Sequence, residues 1–482
     1  MEKKSLGVNF IFNMLKTLMG VVFPLITFPY ATRVLGPEYL GKIDYAQANV
    51  TYFTLIAAFG ITSYAVREGA RIRDDKEKMN GFVGEILAIN LVTVGIAYGL
   101  FFLALLIPKF EAYKGIMLVF SSTIILTAFG MEWVFNIYED YKYITIRSFL
   151  FQVISIVVLF TCVKSYKDYL IYVLVLITSS VGSNVMNLIR AKKYIRFNIK
   201  FSKNLGYHIK PMFMIFIMNL ASSIYLIMDR SMLGSITGDD IEVGLYATAN
   251  KIIAVLVSIF TALRMVMTPR VSYHMKDDEK KAEELNTLTG KLMIMFGIPA
   301  AVGLFCLSDR VIVLFAGAEY IGAALTLRIL LVDLVIAVLN GFLVNQLFIV
   351  HRRDKWASTV VVVGAVVNLI MNAITIPFYG KEGAAVSTCI AEFSIFVVAC
   401  VLASKIFDLK SFIPQIIQSV LACIPMMGLF VWFAGMNISD LWIIIATIVT
   451  GAFSYFVLLF LLKNELVKMG INFVKGKLSN RG

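Results

Sequence analysis

Residues 81–107 read GFVGEILAINLVTVGIAYGLFFLALLI, an apolar run interrupted by a single charge, Glu85. A helix needs about 20 mostly apolar residues to cross the hydrocarbon core of a bilayer, and this run supplies them. Its apolar residues are continuous, whereas a membrane strand would alternate over about 10 residues. Runs of the same kind recur from one end of the chain to the other. The pattern places spans at 7–32, 43–66, 81–107, 115–138, 144–163, 169–189, 211–234, 245–269, 292–309, 322–350, 357–376, 384–404, 415–435 and 441–462. The fold class is therefore an all-α polytopic membrane protein of about 14 transmembrane helices.

Composition agrees. Of 482 residues, 59% are hydrophobic and 16% charged, with mean hydropathy +0.82. Soluble domains are about 45–50% apolar and about 25% charged, so this chain carries more apolar surface than a water-facing protein hides. The N-terminal run to Tyr30 is too long for a signal peptide and contains Lys16, Pro24 and Pro29, so it reads as the first span. Five cysteines (Cys162, Cys306, Cys389, Cys400, Cys423) and three histidines (His208, His274, His351) show no metal-ligand spacing or disulfide framework. No Walker A motif is present, and no cofactor is expected.

Lysine and arginine set the orientation. With the N-terminus in the cytoplasm, about 31 basic residues fall on inner segments and about 8 on outer ones. The inner set includes Lys3, Lys4, Lys142, Arg147, Lys276, Lys475, Lys477, Arg481 and a cluster from Arg190 through Lys203 to Lys210. An even number of spans returns the C-terminus to the same side. The net charge of +13 thus decorates an anionic leaflet, which argues against nucleic acid as a partner.

An internal repeat organises the spans. Arg33-Val-Leu-Gly36 precedes Tyr45-Ala-Gln-Ala-Asn49, and Arg230-Ser-Met-Leu-Gly234 precedes Tyr246-Ala-Thr-Ala-Asn250. Six spans separate the partners, an even number, so the halves share one orientation and relate by an axis along the membrane normal. This gives an N-terminal lobe at 1–190, a cytoplasmic linker at 191–210, a C-terminal lobe at 211–404, two additional spans at 415–462 and a basic tail at 463–482.

The stretch Thr32-Arg33-Val-Leu-Gly-Pro-Glu-Tyr-Leu-Gly41, followed by Tyr45-Ala-Gln-Ala48, resembles bacterial Wzx-type polysaccharide flippases. These belong to the MOP superfamily, which also holds MATE-type multidrug exporters and lipid II flippases. Pro377-Phe-Tyr-Gly-Lys-Glu-Gly-Ala-Ala385, leading to Ala391-Glu392, resembles the same family. The resemblance implies a MATE-like fold of two six-helix lobes. It also implies translocation of undecaprenyl-diphosphate-linked oligosaccharide from the cytoplasmic to the outer leaflet of the bacterial inner membrane. O-antigen or exopolysaccharide units are the implied cargo, with a polysaccharide polymerase and export machinery as implied partners. Spans 415–462 resemble the extra pair that forms a lipid-tail groove in lipid II flippases.

Ionisable residues inside spans cost about 2.5–3.5 kcal/mol or more, so each requires a reason. Lys16, Arg33, Arg230, Lys251, Arg264 and Arg328 are expected to make a cationic cavity between the lobes, suited to a diphosphate. Arg33, Arg230 and Arg264 lie near helix ends, where snorkelling to the interface explains them equally well. Asp333, Glu132 and Glu392 are candidates for H+ or Na+ coupling, and Asp44 reads as a cap on the second span. Tyr45 and Tyr246 are candidates for stacking on sugars, as are Tyr52, Tyr64 and Tyr225, although most membrane tyrosines serve belts or packing. Two functional alternatives share the fold: a lipid II flippase, and a drug or cation antiporter with an acid-dominated cavity. A membrane glycosyltransferase or polymerase would present a sizeable outer loop, and none is found.

Overall fold

The computed structural model describes residues 6–202, 205–436 and 438–479. Lys3, Lys4, Lys203 and Arg481 lie outside the described residues, as do the side chains of Tyr225, Lys276, Lys475 and Lys477. The described residues form helices and short connections, with no β-strand among them. Two compact units are defined, residues 1–244 and 245–482.

In the first unit the helices are α1 (Leu6–Ala58), α2 (Ile61–Ile72), α3 (Lys76–Ala104), α4 (Lys114–Ala128), α5 (Glu132–Ile137), α6 (Tyr141–Cys162), α7 (Tyr169–Ile177), α8 (Asn184–Ala191) and α9 (Leu205–Thr237). Helix α10 (Asp240–Asp277) leads into the second unit. There follow α11 (Glu279–Ala316), α12 (Ala323–Phe342), α13 (Asp354–Ala403), α14 (Ile413–Ala434), α15 (Asp440–Leu461) and α16 (Glu465–Ser479). The segment expected as a linker, 191–210, and α9 after it both belong to the first unit.

Among the described residues, 11 helical segments are long and apolar enough to cross a membrane. Two of them are each a pair of spans. Helix α1 has 53 residues, about 80 Å if straight, against a hydrocarbon core of about 30 Å. It breaks at Gly36, whose φ of 71° belongs to glycine. Before the break, Phe12 and Tyr30 lie beside Thr145 and Val163 of α6 and its end. After it, Tyr45 and Thr54 lie beside Tyr113 and Thr123 of α4 and its start. Asn184 bonds both Arg147 near the start of α6 and Leu126 near the end of α4, so those two helices run oppositely. The chain therefore reverses at Gly36.

Helix α13 does the same at Gly380, where φ is 51°. Thr375 and Ser387 meet at 2.7 Å between hydroxyls, although 12 residues of straight helix would part them by about 18 Å. With α9 supplying a further span, the segments resolve into the fourteen expected from sequence.

Helix α3 shows what holds these spans. Val83, Ile86, Leu87, Asn90, Val94, Ala97 and Phe101 recur at helical spacing and are buried. The opposite face carries Leu91, Val92, Ile96, Phe102 and Leu103, all exposed. In water such a face would be unfavourable; lipid covers it at no cost. The aqueous ends are capped. Asp75 accepts the N–H groups of Glu77 and Lys78 at the start of α3, and these bonds hold its carboxyl below the usual carboxylate range. Asp278 likewise accepts from Lys281 at the start of α11.

Two spans of the first unit are discontinuous, which hydropathy did not reveal. The second breaks at Phe59 and Gly60, both with positive φ. The fourth, expected as one helix over 115–138, breaks between α4 and α5, where Met131 has φ 50°. Carbonyls freed at this break are satisfied by side-chain amides: Asn90 donates to Ala128 (2.9 Å), Asn184 to Leu126 (3.0 Å) and Asn187 to Gly130 (2.6 Å). Thr93 donates to the Ala57 carbonyl (2.9 Å) near the other break. Irregular backbone inside a membrane persists only where the protein supplies such partners.

Candidate functional site

Glu132 is the first residue of α5, so the break in the fourth span decides where its carboxylate stands. One oxygen accepts from Lys16 Nζ on α1 at 2.6 Å, and the other accepts from Arg147 Nη2 on α6 at 2.8 Å. Three membrane-spanning segments thus meet at one carboxylate. The Arg147 side chain is 1% exposed, while Lys16 and Glu132 remain 37% and 31% exposed. Arg147 also donates to the Ser183 carbonyl (3.2 Å) and to Asn184 Oδ1 (3.1 Å), which fixes its fork. Two cations and one carboxylate leave a net positive charge, with the open side of the cluster at Lys16.

Lys16, expected as a cavity cation, and Glu132, expected as a coupling acid, are partners in the structure. Arg147 is expected from sequence on a cytoplasmic connection. Arg147 instead lies six residues into α6, buried. A basic residue this close to a span edge reads as a flank, so only its partner could have revealed it.

The other expected cavity cations are held separately. Arg33 donates to the Pro29 carbonyl of its own helix (2.6 Å) and is exposed. Arg230 on α9 pairs with Asp44 of α1 (3.2 Å), so Asp44, expected as a helix cap, is a buried counter-ion. Arg264 on α10 donates to the Gly341 carbonyl and to Thr261 Oγ1 (3.0 Å). Arg328 on α12 pairs with Asp309 of α11 at 2.5 Å, an acid at a span edge that is not among the expected coupling residues. Lys251 is half-buried on α10.

In the second unit Asp333 of α12 is 5% exposed, and its Oδ1 has no hydrogen-bond partner among the described residues. Glu392, on the second half of α13, lies within electrostatic reach of it. Asn340, two turns along α12 from Asp333, donates to the Glu392 carboxylate (2.5 Å) and to its backbone carbonyl (2.9 Å). This arrangement gathers negative charge where the first unit gathers positive charge.

Tyr45 and Tyr246, expected to stack on sugars, are both fully buried. Tyr45 bonds Ser235 (3.0 Å) and packs on Tyr113, and Tyr246 bonds Thr388 (3.2 Å). Neither ring face is open in this structure; both tyrosines hold helices together. All five cysteines are free, and no group of three or more metal-ligating side chains occurs among the described residues.

Long apolar helices, broken at membrane depth and carrying ion pairs there, define a polytopic membrane protein of the transporter class. Solved structures share the fold. The lipid II flippase MurJ in an inward closed conformation superposes with TM-score 0.76 at 17% identity, over 95% of this chain and 100% of that one. A MATE multidrug transporter of the MOP superfamily, facing inward, gives 0.62 at 13% identity, over 82% and 97%. The family model described as polysaccharide biosynthesis protein matches residues 6–275, more than half of the chain, and the MatE model matches 215–374. The chain belongs to the polysaccharide biosynthesis protein family. Among curated relatives, a protein of Escherichia coli (strain K12) named as an O-antigen transporter is 23% identical over 402 residues, covering 81% of this chain and 95% of that protein. A Haloferax volcanii protein named as a low-salt glycan biosynthesis flippase, Agl15, is 28% identical over 153 residues, 31% of this chain and 32% of its own length.

Proposed function

We propose that this chain is a polysaccharide flippase. It moves undecaprenyl-diphosphate-linked oligosaccharide from the cytoplasmic to the outer leaflet of the bacterial inner membrane by alternating access, with both termini in the cytoplasm. Family membership and the names of the relatives support the class; the basic bias of alternate connections supports the orientation. The observation that carries the substrate chemistry is the Lys16–Glu132–Arg147 cluster, cationic overall and open at Lys16. An incoming diphosphate competes with Glu132 for the Lys16 ammonium, while Arg147 keeps Glu132 from being left alone. In this reading Lys16 is the exchanging partner and Arg147 the fixed one.

Ion coupling belongs to the same proposal. Asp333 and Glu392 form an acid pair that takes up H+ or Na+, because two neighbouring carboxylates resist simultaneous ionisation. That pair also favours a second reading, a cation exporter of the same fold, since an acidic site suits an organic cation.

One assay separates the two readings. The full chain is reconstituted in proteoliposomes with an undecaprenyl-diphosphate oligosaccharide, and the initial translocation rate is measured. Lys16→Gln is expected to slow translocation about tenfold or more, the worth of a charged hydrogen bond, and Lys16→Arg to retain most of the rate. Parent-like translocation by Lys16→Gln would reject the lysine as the diphosphate contact. Efflux of organic cations by the parent, without lipid translocation, would replace the flippase by the exporter.

A further inference from the structure

Between α8 and α9 the chain runs without helix from Ile195 to Ser202. This segment is pinned along the first turns of α3. The Arg196 N–H donates to Asn80 Oδ1 (2.8 Å), the Lys200 N–H to the Gly84 carbonyl (3.0 Å) and Ser202 Oγ to Glu85 Oε1 (2.6 Å). At Gly84 a Cβ would collide with the Asn198 carbonyl oxygen, so the approach depends on glycine. Glu85 in turn bonds His208 (2.9 Å), whose other nitrogen meets the Tyr64 hydroxyl (2.7 Å). Upstream, Asp140 accepts from Arg190 (3.2 Å) and from Tyr194 (2.9 Å). Burial and this bond push the Tyr194 hydroxyl up to about 12. The segment is a fixed strap.

Its exposed side chains combine two chemistries. Phe197, Ile199 and Phe201 recur with the period of an extended chain and are exposed, Phe201 by 63%, and Ile189 just upstream is 71% exposed. Arg190, Lys192, Lys193, Arg196 and Lys200 are exposed beside them. Beside the strap opens a groove of about 520 Å³ lined by Leu87, Phe129, Leu188, Phe197, Asn198 and Ile199, within the range of small-ligand sites. A connection solvated by water has no use for four open apolar side chains.

We propose that the strap is a binding site for one anionic phospholipid, its headgroup phosphate on the exposed lysines and arginines and an acyl chain entering the apolar groove that Phe197 and Ile199 line. Charge complementarity selects the headgroup, and the apolar lining requires a tail, so a soluble phosphate ester meets only half of the site. The site needs only that the strap lie at a membrane face; it does not depend on which solute the protein carries.

The test uses the purified full chain in a neutral detergent, exchanged against phosphatidylglycerol or phosphatidylcholine, with lipid retention read by native mass spectrometry. Phosphatidylglycerol is expected to be retained at least about tenfold more tightly than phosphatidylcholine. Combined Lys192→Gln, Lys193→Gln and Lys200→Gln is expected to abolish the preference while leaving the melting temperature unchanged, because all three side chains are exposed. Ile199→Asp is expected to weaken retention of both lipids. Equal retention of the two lipids by the parent, an unchanged preference in the triple variant, or equally tight binding of glycerol phosphate would each overturn the proposal.

Discussion

In the first unit one carboxylate, Glu132, stands between two cations, Lys16 and Arg147. In the second, Asp333 lies within electrostatic reach of Glu392, whose carboxylate accepts from the amide of Asn340. The two units share a repeated Tyr-Ala-x-Ala-Asn segment, and in both the tyrosine is a buried packing residue. The repeated segment includes neither charged group. Similar bundles can thus differ in charge, because charge is carried by a few side chains and the fold by many.

The largest expected effect comes from taking away the acid of the first unit. Glu132→Gln leaves Arg147 buried without a counter-ion, which costs about 3–5 kcal/mol when one partner of a buried pair is lost. Denaturant unfolding of the detergent-solubilised protein measures it. Stability within 1 kcal/mol of the parent (about the error of such a comparison) would mean that the cluster is solvated after all. In the second unit the opposite sign is expected. Asp333→Asn removes a buried carboxylate whose Oδ1 has no hydrogen bond among the described residues, so stability is expected to be unchanged or raised by about 1–2 kcal/mol, and the proposed dependence of transport on H+ or Na+ to be lost. Retained ion dependence would strip Asp333 of its role and blunt the contrast between the units.

The smallest effect lies outside the membrane. Glu465, the first residue of α16, accepts from Lys291 at 2.7 Å, and this bond holds its carboxyl below its ordinary value. A lowered pKa means stabilisation present above the unfolded value and lost as pH falls through the folded one. The Glu465 side chain is 77% exposed, so after screening the pair contributes about 0–1 kcal/mol. Lys291→Ala is therefore expected to lower the melting temperature slightly at neutral pH and not at all in acid. A deficit that grows on acidification would contradict the sign.

Hydropathy made the spans legible, because lipid demands continuous apolar length whatever the neighbours are. The turns at Gly36 and Gly380 were legible as connections for the same reason. The broken fourth span was not, since Phe129-Gly130-Met131 is as apolar as the helix around it. Pairing was illegible too: Lys16 and Glu132 are 116 residues apart, and nothing local says that they meet. Each looked like an isolated intramembrane charge, one a substrate contact and one a coupling acid. Arg147 failed in the other direction, because its position near a span edge gave it an ordinary explanation.

The carbonyls at Leu126 and Gly130 are closed by Asn184 and Asn187, residues that follow them in the chain by two spans. During synthesis, a nascent chain that ends before Asn184 has no amide to offer, and an open carbonyl in lipid costs several kcal/mol. At that stage the fourth span is therefore expected to insert as one unbroken rod. Glu132 is then expected to reach its final position only when the sixth span arrives, with Asn90 alone closing a carbonyl of the break, that of Ala128, before that.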